Sequence, residues 1–318
     1  MMMFKTFTTI WVKPSIKKHL VIGAFYLFSS FTLSGQIPSY QFKKIRGVNP
    51  TAQLYFQKQL LSHSTTADFQ LHVQVKEFDF SSKETFHFQA EIYVDRDSII
   101  GPQLLYTYKI SFKTQGFKSK SAHWEEMAKL SSQSLQSQFA TWWKNNWDKD
   151  PHLIQEVRVE FLPDYVPKKL DLDTLFYGQK KLDWSDFVAK PYPGSRFAAQ
   201  IFSNFEYHAA PRIERGILFL PLQVKVYMLR SSSWKKENLP DRALDHESTH
   251  FNITQKAANL FKEQILQKKL RPLWYESELQ WWFLDAYRWM NSTQKSYDDD
   301  TQHGIQVAEQ EIWNNKFK

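Results

Sequence analysis

The chain contains no cysteine in its 318 residues. That absence excludes disulfides, thiolate metal sites, a cysteine nucleophile and a lipidated N-terminal cysteine, so any metal must rest on histidine and carboxylate. Apolar runs of membrane-spanning length are also missing, since the longest run is shorter than the roughly 20 residues a span needs. A clustered basic stripe is absent as well. The downstream cations fall in scattered doublets such as Lys168-Lys169, Lys180-Lys181, Lys235-Lys236 and Lys268-Lys269. They lack the density that phosphate neutralisation requires, which argues against nucleic acid as a partner.

What is present begins with a leader. Lys5, Lys13, Lys17 and Lys18 precede an apolar stretch from Leu20 to Leu33, followed by the small residues Ser34 and Gly35. This order of basic region, short hydrophobic region and small residues is that of a signal peptide spanning residues 1–35, and it implies export to the periplasm or the extracellular space. Its removal takes the formal net charge from +8 to about +4, because the leader holds four lysines and no acid. The mature chain is expected to carry no membrane span. Its 42% hydrophobic and 16% aromatic content supplies ample material for packed cores without disulfides.

Period-two alternation predicts three strands through Phe69–Val75, Phe86–Ile92 and Leu104–Phe112, arranged as an antiparallel meander. Apolar residues at three and four spacing from Trp124 to Trp142 predict a helix ending near Trp147, with Ser121 as N-cap. A fourth strand at Val157, Val159 and Phe161 and the Pro163–Pro167 stretch close an N-terminal α+β unit over residues 36–170. Adjacent tryptophans at 142, 143 and 147 read as packing residues. The second unit, residues 171–318, opens with strands over 197–207 and 217–229, the latter an edge strand or a bulged one because Pro221 interrupts it. Helices are expected from Pro240 to about Leu270, from Ser277 to Met290, and from about Thr301 to Trp313.

The chemistry lies in the first of those helices. His246-Glu247-Ser248-Thr249-His250 places two imidazoles four residues apart, on one helical face and one turn apart, where they can share a metal ion. In the metalloprotease geometry that this motif indicates, Glu247 is not a ligand but the general base that takes a proton from zinc-activated water. Composition alone would produce such a motif in roughly two of a hundred comparable chains. Its position in an amphipathic helix of an exported chain raises its weight. A zinc site needs a third protein ligand, and Glu276, Glu278, Asp285, Asp298, Asp299, Asp300 and His303 all lie downstream.

Four segments, in order, resemble the bacterial predicted secreted zinc-dependent proteases grouped as domain-of-unknown-function family 922. They are Leu182-Asp183-Trp184-Ser185-Asp186-Phe187, Ser233-Trp234, His246–Phe251, and Tyr297–Gly304 with its Asp298-Asp299-Asp300-Thr301-Gln302-His303 core. The resemblance covers roughly residues 173–313. It implies a zincin-like fold with a small sheet packed on the metal-bearing helix, and a Zn2+ cofactor. One departure is Asn252, where the family often carries an aspartate that could orient a ligand; asparagine offers a carbonyl without charge. The last segment favours His303 as third ligand, giving an all-histidine set of His246, His250 and His303 with Glu247 as base.

The expectation is therefore an α+β protein acting as a secreted zinc metallopeptidase on a peptide or protein substrate. Cell-envelope material is the other candidate substrate, through amidase chemistry at the same kind of site. The alternative from another class is a cell-envelope binding or assembly module whose zinc site is structural or vestigial. Export is checked by mass measurement of the protein recovered outside the cytoplasm: an N-terminus near Gln36 is expected, and an intact Met1 would contradict the leader reading.

Overall fold

In a computed structural model, the described residues are 37–47, 50–61, 67–82, 85–113, 123–169 and 171–317. The leader and Ser121 lie outside them. Residues 37–318 cluster as one compact unit. The architecture is mixed α+β, with five α-helices and three sheets among the described residues. None of the described helices is long and apolar enough to cross a membrane.

The first sheet has the order β1(Tyr40–Arg46)–β2(Phe69–Ser82)–β3(Thr85–Val94)–β4(Gln103–Lys113). β2, β3 and β4 form the antiparallel meander expected from their alternation. In β3 every second residue, Phe86, Phe88, Ala90, Ile92 and Val94, is buried, which is the mark of a sheet with one face on the core. β1 joins parallel to β2 after α1(Pro50–Leu60), and a register shift between Phe42 and Lys44 breaks its alternation. That bulge hides β1 from a period-two reading. α2(Trp124–Asn146) covers the sheet with Leu135, Phe139 and Trp143, so the tryptophans at 143 and 147 are core residues and Trp142 packs at its margin.

β5(Glu156–Phe161) does not complete this sheet. It pairs parallel with β10(Ile217–Leu229), so the strand assigned by sequence to the N-terminal unit belongs to the second sheet. β10 is the spine of that sheet, not an edge. Along one side it meets β5 and then β6(Thr174–Phe176); along the other it meets β9(Arg212–Glu214) and then β8(Ser203–Ala209). Pro221 stands opposite the break between β8 and β9, so its missing donor costs little. Its carbonyl still accepts from the Ala210 amide at 3.2 Å. The expected strand over 197–207 is likewise split, into β7(Ala199–Gln200), which pairs with β11(Trp234–Lys235), and β8.

The buried face of β10, Leu220 to Met228 at alternate positions, packs with Ile253, Ala257, Phe261 and Ile265 of α3(Asp241–Lys268) in the second core. α4 runs without interruption from Tyr275 to Thr301, where the sequence suggested a stop at Met290. Its buried residues Leu279, Ala286, Met290, Tyr297 and Thr301 recur at seven and four spacing, which carries the helix through the polar stretch after Met290. The third helix, α5(Val307–Lys316), begins at Val307, not at about Thr301.

The Leu182–Phe187 segment is a structural fastener. Asp183 and Asp186 form a reciprocal capping box around a short 3-10 turn. Asp186, only 2% exposed, pairs with Lys180 at 2.6 Å and with Arg230 at 3.0 Å, tying the turn to the end of β10. Removing one member of a buried ion pair strands the other charge. Asp186→Ala is expected to lower the unfolding free energy by about 3 kcal/mol in urea titration, with an unchanged m-value; a loss under about 1 kcal/mol would assign the segment another role.

Candidate metal centre

α3 and α4 form an antiparallel hairpin. Gln264 and Asp285 meet near its turn at 3.3 Å, and the first turns of α3 meet the last turns of α4 at the open end. With helices of 28 and 27 residues, the return path is nearly matched in length at about 1.5 Å per residue. This matching, not any local spacing, brings Asp298 to the histidines.

His246, Glu247 and His250 are all buried, at 5%, 5% and 7% exposure. The Nε2 atoms of His246 and His250 lie 3.2 and 3.0 Å from Oδ1 of Asp298. These three side chains offer ligand atoms within 4.8 Å of one another, the grouping a single metal ion requires. His303 approaches the same carboxylate oxygen, with Nδ1 at 3.3 Å, but stands outside the group and is 40% exposed at its side chain. It follows the left-handed C-cap at Gln302 and has φ of 54° itself, so it closes α4 instead of opening a helix. Its ring rests on Phe197, with centroids 4.5 Å apart.

Of the other downstream carboxylates, Asp299 pairs with Lys295, Asp300 accepts from Trp313 Nε1 at 3.1 Å, Glu278 pairs with Arg271, and Glu276 accepts from Tyr275. Asp285 is held at the far end of the hairpin. None of them joins the histidines. The sequence favours His303 over Asp298 only through the resemblance of Tyr297–Gly304 and the all-histidine set that a third imidazole would complete.

Glu247 lies beside this grouping, within electrostatic reach of His250, His246 and Asp298, and its Oε2 accepts the Ile201 amide of the β7–β8 connection at 2.8 Å. Burial pushes its carboxyl above the usual range, against the His250 and His246 imidazoles and the Ile201 amide, which pull it down. For Asp298, burial also pushes upward, but the hydrogen bonds from His246 and His250 outweigh it and hold the carboxyl well below the ordinary range. Burial disfavours the charged imidazole of His250, while the Asp298 hydrogen bond and the Glu247 charge overcome that and raise its pKa.

Tyr297, fully buried, lies on His246 with ring centroids 4.5 Å apart and planes at 22°, and so fixes the plane of the imidazole. The Asn252 carbonyl does not serve the histidines; it accepts from the Tyr177 hydroxyl at 2.9 Å.

Two imidazoles and one carboxylate, borderline nitrogen and hard oxygen donors converging at a partly exposed carboxylate, suit a divalent transition ion. The Nδ1 atoms of His246 and His250 are buried without hydrogen-bond partners among the described residues. In these contacts each Nε2 donates to the Asp298 carboxylate, which can only accept.

No protein-family model matches the chain, and no curated protein matches it. A solved structure of a candidate lipoprotein from Caulobacter crescentus CB15 aligns with 34% of this chain and 92% of its own, at 14% identity and a TM-score of 0.24. A likeness that weak carries no argument about this chain.

The geometry ranks the ligands. Asp298→Ala is expected to weaken Co2+ binding by about tenfold or more and His303→Ala by less than about threefold, read by competition with a chromophoric chelator. The opposite ranking would return the third ligand to His303.

Proposed function

We propose that this chain is an exported zinc-dependent hydrolase, a metallopeptidase akin to the secreted zinc-dependent proteases it resembles, with a zincin-like second half. The observation that carries the proposal is the meeting of His246, His250 and Asp298 at one point beside the buried carboxyl of Glu247. His246, His250 and Asp298 would hold the ion, with His303 next to the carboxylate ligand. Membership of the family rests on the four sequence segments alone.

Bound zinc supplies Lewis acidity, lowering the pKa of water toward neutrality and polarising a carbonyl oxygen. The chain's own residues do the rest. Oε2 of Glu247 is held by the Ile201 amide, leaving Oε1 to receive a proton. Its raised pKa brings the carboxyl nearer to neutrality, where a general base both accepts and returns a proton efficiently. The site opens toward solvent on the side of Asp298 and His303, whose side chains are 30% and 40% exposed. Phe251 of α3, in edge contact with Tyr177 at 5.1 Å between centroids, seats the metal-bearing helix in the second core.

β10 is ruled out as a pairing edge because strands occupy both of its sides. A peptide is the substrate class that this zinc chemistry and the resemblance favour, with cell-wall amide bonds as the variant at the same centre. A purely structural zinc would leave Glu247 only the Ile201 amide to hold.

Glu247→Gln tests the division of labour. Zinc should stay near one equivalent while hydrolysis of a casein or peptidoglycan substrate falls by about 10²- to 10⁴-fold. Loss of zinc together with activity would make Glu247 part of the metal-holding structure, and undiminished hydrolysis would remove it from the mechanism.

A further inference from the structure

When an ion takes Nε2 of a histidine, the proton of the neutral imidazole must sit on Nδ1, and a buried Nδ1–H needs an acceptor. For His246 the surroundings of Gly304 identify one. A Cβ built on Gly304 would lie 3.4 Å from Nδ1 and from Cγ of His246, and 3.0 Å from Oε1 of Gln310. Two buried polar atoms thus face the same small space, and both lack a hydrogen-bond partner among the described residues. One needs an acceptor once metal is bound, and the other is an acceptor.

Gln310 is placed for this by α5(Val307–Lys316), and it is 5% exposed. Its Nε2 donates to the Arg242 carbonyl at 2.9 Å, which settles the orientation of the amide: turning it over would set oxygen against oxygen. Oε1 therefore faces the space beside Gly304, which the His246 ring also borders. Gly304, at φ of 83°, adopts a conformation that L side chains rarely take, and any side chain there would enter the space between the two atoms. The glycine and the short helix after it together bring a carbonyl oxygen to a ligand histidine from an element that contributes no ligand.

We infer that Gln310 is a positioning residue for the metal centre: its Oε1 accepts the Nδ1 proton of His246 and so holds the tautomer that presents Nε2 to the ion. The inference rests on the metal reading above and deepens it. It also gives the C-terminal helix a function in the site, since α5 would act as the outer support of α3's first histidine.

The test uses the full purified chain and Zn2+, with Co2+ as a spectroscopic substitute. Gln310→Met removes both the acceptor and the Arg242 hydrogen bond, whereas Gln310→Glu removes only the latter and keeps an oxygen in place. Zinc affinity is expected to fall about tenfold or more in Gln310→Met and to stay within about threefold of wild type, or tighter, in Gln310→Glu. Equal losses in both variants, or none in either, would overturn the inference, the first by assigning the effect to the Arg242 contact. Should Gln310→Met fail to fold, the wild-type protein decides the matter. Its zinc-loaded nitrogen-proton spectrum should show a slowly exchanging Nδ1 proton for His246 that is missing in the metal-free form. A rapidly exchanging Nδ1 proton would overturn the proposal. If the wild type takes up no zinc, the metal reading itself fails, an outcome separable from all the others.

Discussion

The site depends on one packing relation: two helices of nearly equal length lying antiparallel, so that the first turns of α3 face the last turns of α4. Helix pairing converts a separation of 48 residues between His250 and Asp298 into a contact of 3.0 Å. The sheet supports the pair from below. Alternate apolar residues of β10 seat α3 through Ile253, Ala257 and Phe261, while Tyr297 of α4 lies flat on His246. The residues of the candidate site and the residues that pack therefore lie on the same two helices, one turn apart or less. The chemistry is only as well positioned as the core beneath it.

Electrostatics concentrates at that junction. A buried Glu247, two buried imidazoles and the half-buried Asp298 would be expensive apart. Together they offset one another, the histidines holding Asp298 ionised and the carboxylates favouring charge on His250. A cation placed among them would take over the role that the imidazole protons play in the metal-free protein. This arrangement explains why so many polar groups can be sunk in a core without cysteine or disulfide to stabilise it.

Much of this was legible from sequence, for reasons that differ by element. β2, β3 and β4 each bury one face, so their alternation showed directly, and the His246–His250 pair needed nothing beyond helical periodicity. Where the pattern is set by partners it was hidden. β1 carries a bulge that interrupts its period, and β5 shows the same alternation whichever sheet receives it. Pro221 looked like an edge residue because the break between β8 and β9 that accommodates it is invisible in one dimension. The polar run after Met290 conceals the last turns of α4, and with them the direction of Asp298, whereas the preference for His303 rests on the resemblance of Tyr297–Gly304. Gln310 gave no signal at all, since an acceptor for a histidine nitrogen is recognisable only when both atoms are placed.

The central claim is that His246, His250 and Asp298 hold one zinc ion. X-ray absorption at the zinc edge of the loaded protein measures this shell directly. The account predicts one equivalent of zinc with two imidazole nitrogens at about 2.0–2.1 Å and oxygen at about 2.0–2.2 Å, the oxygen including one that is lost in Asp298→Ala. A shell with three imidazoles, or a protein that takes up no stoichiometric zinc, would contradict it.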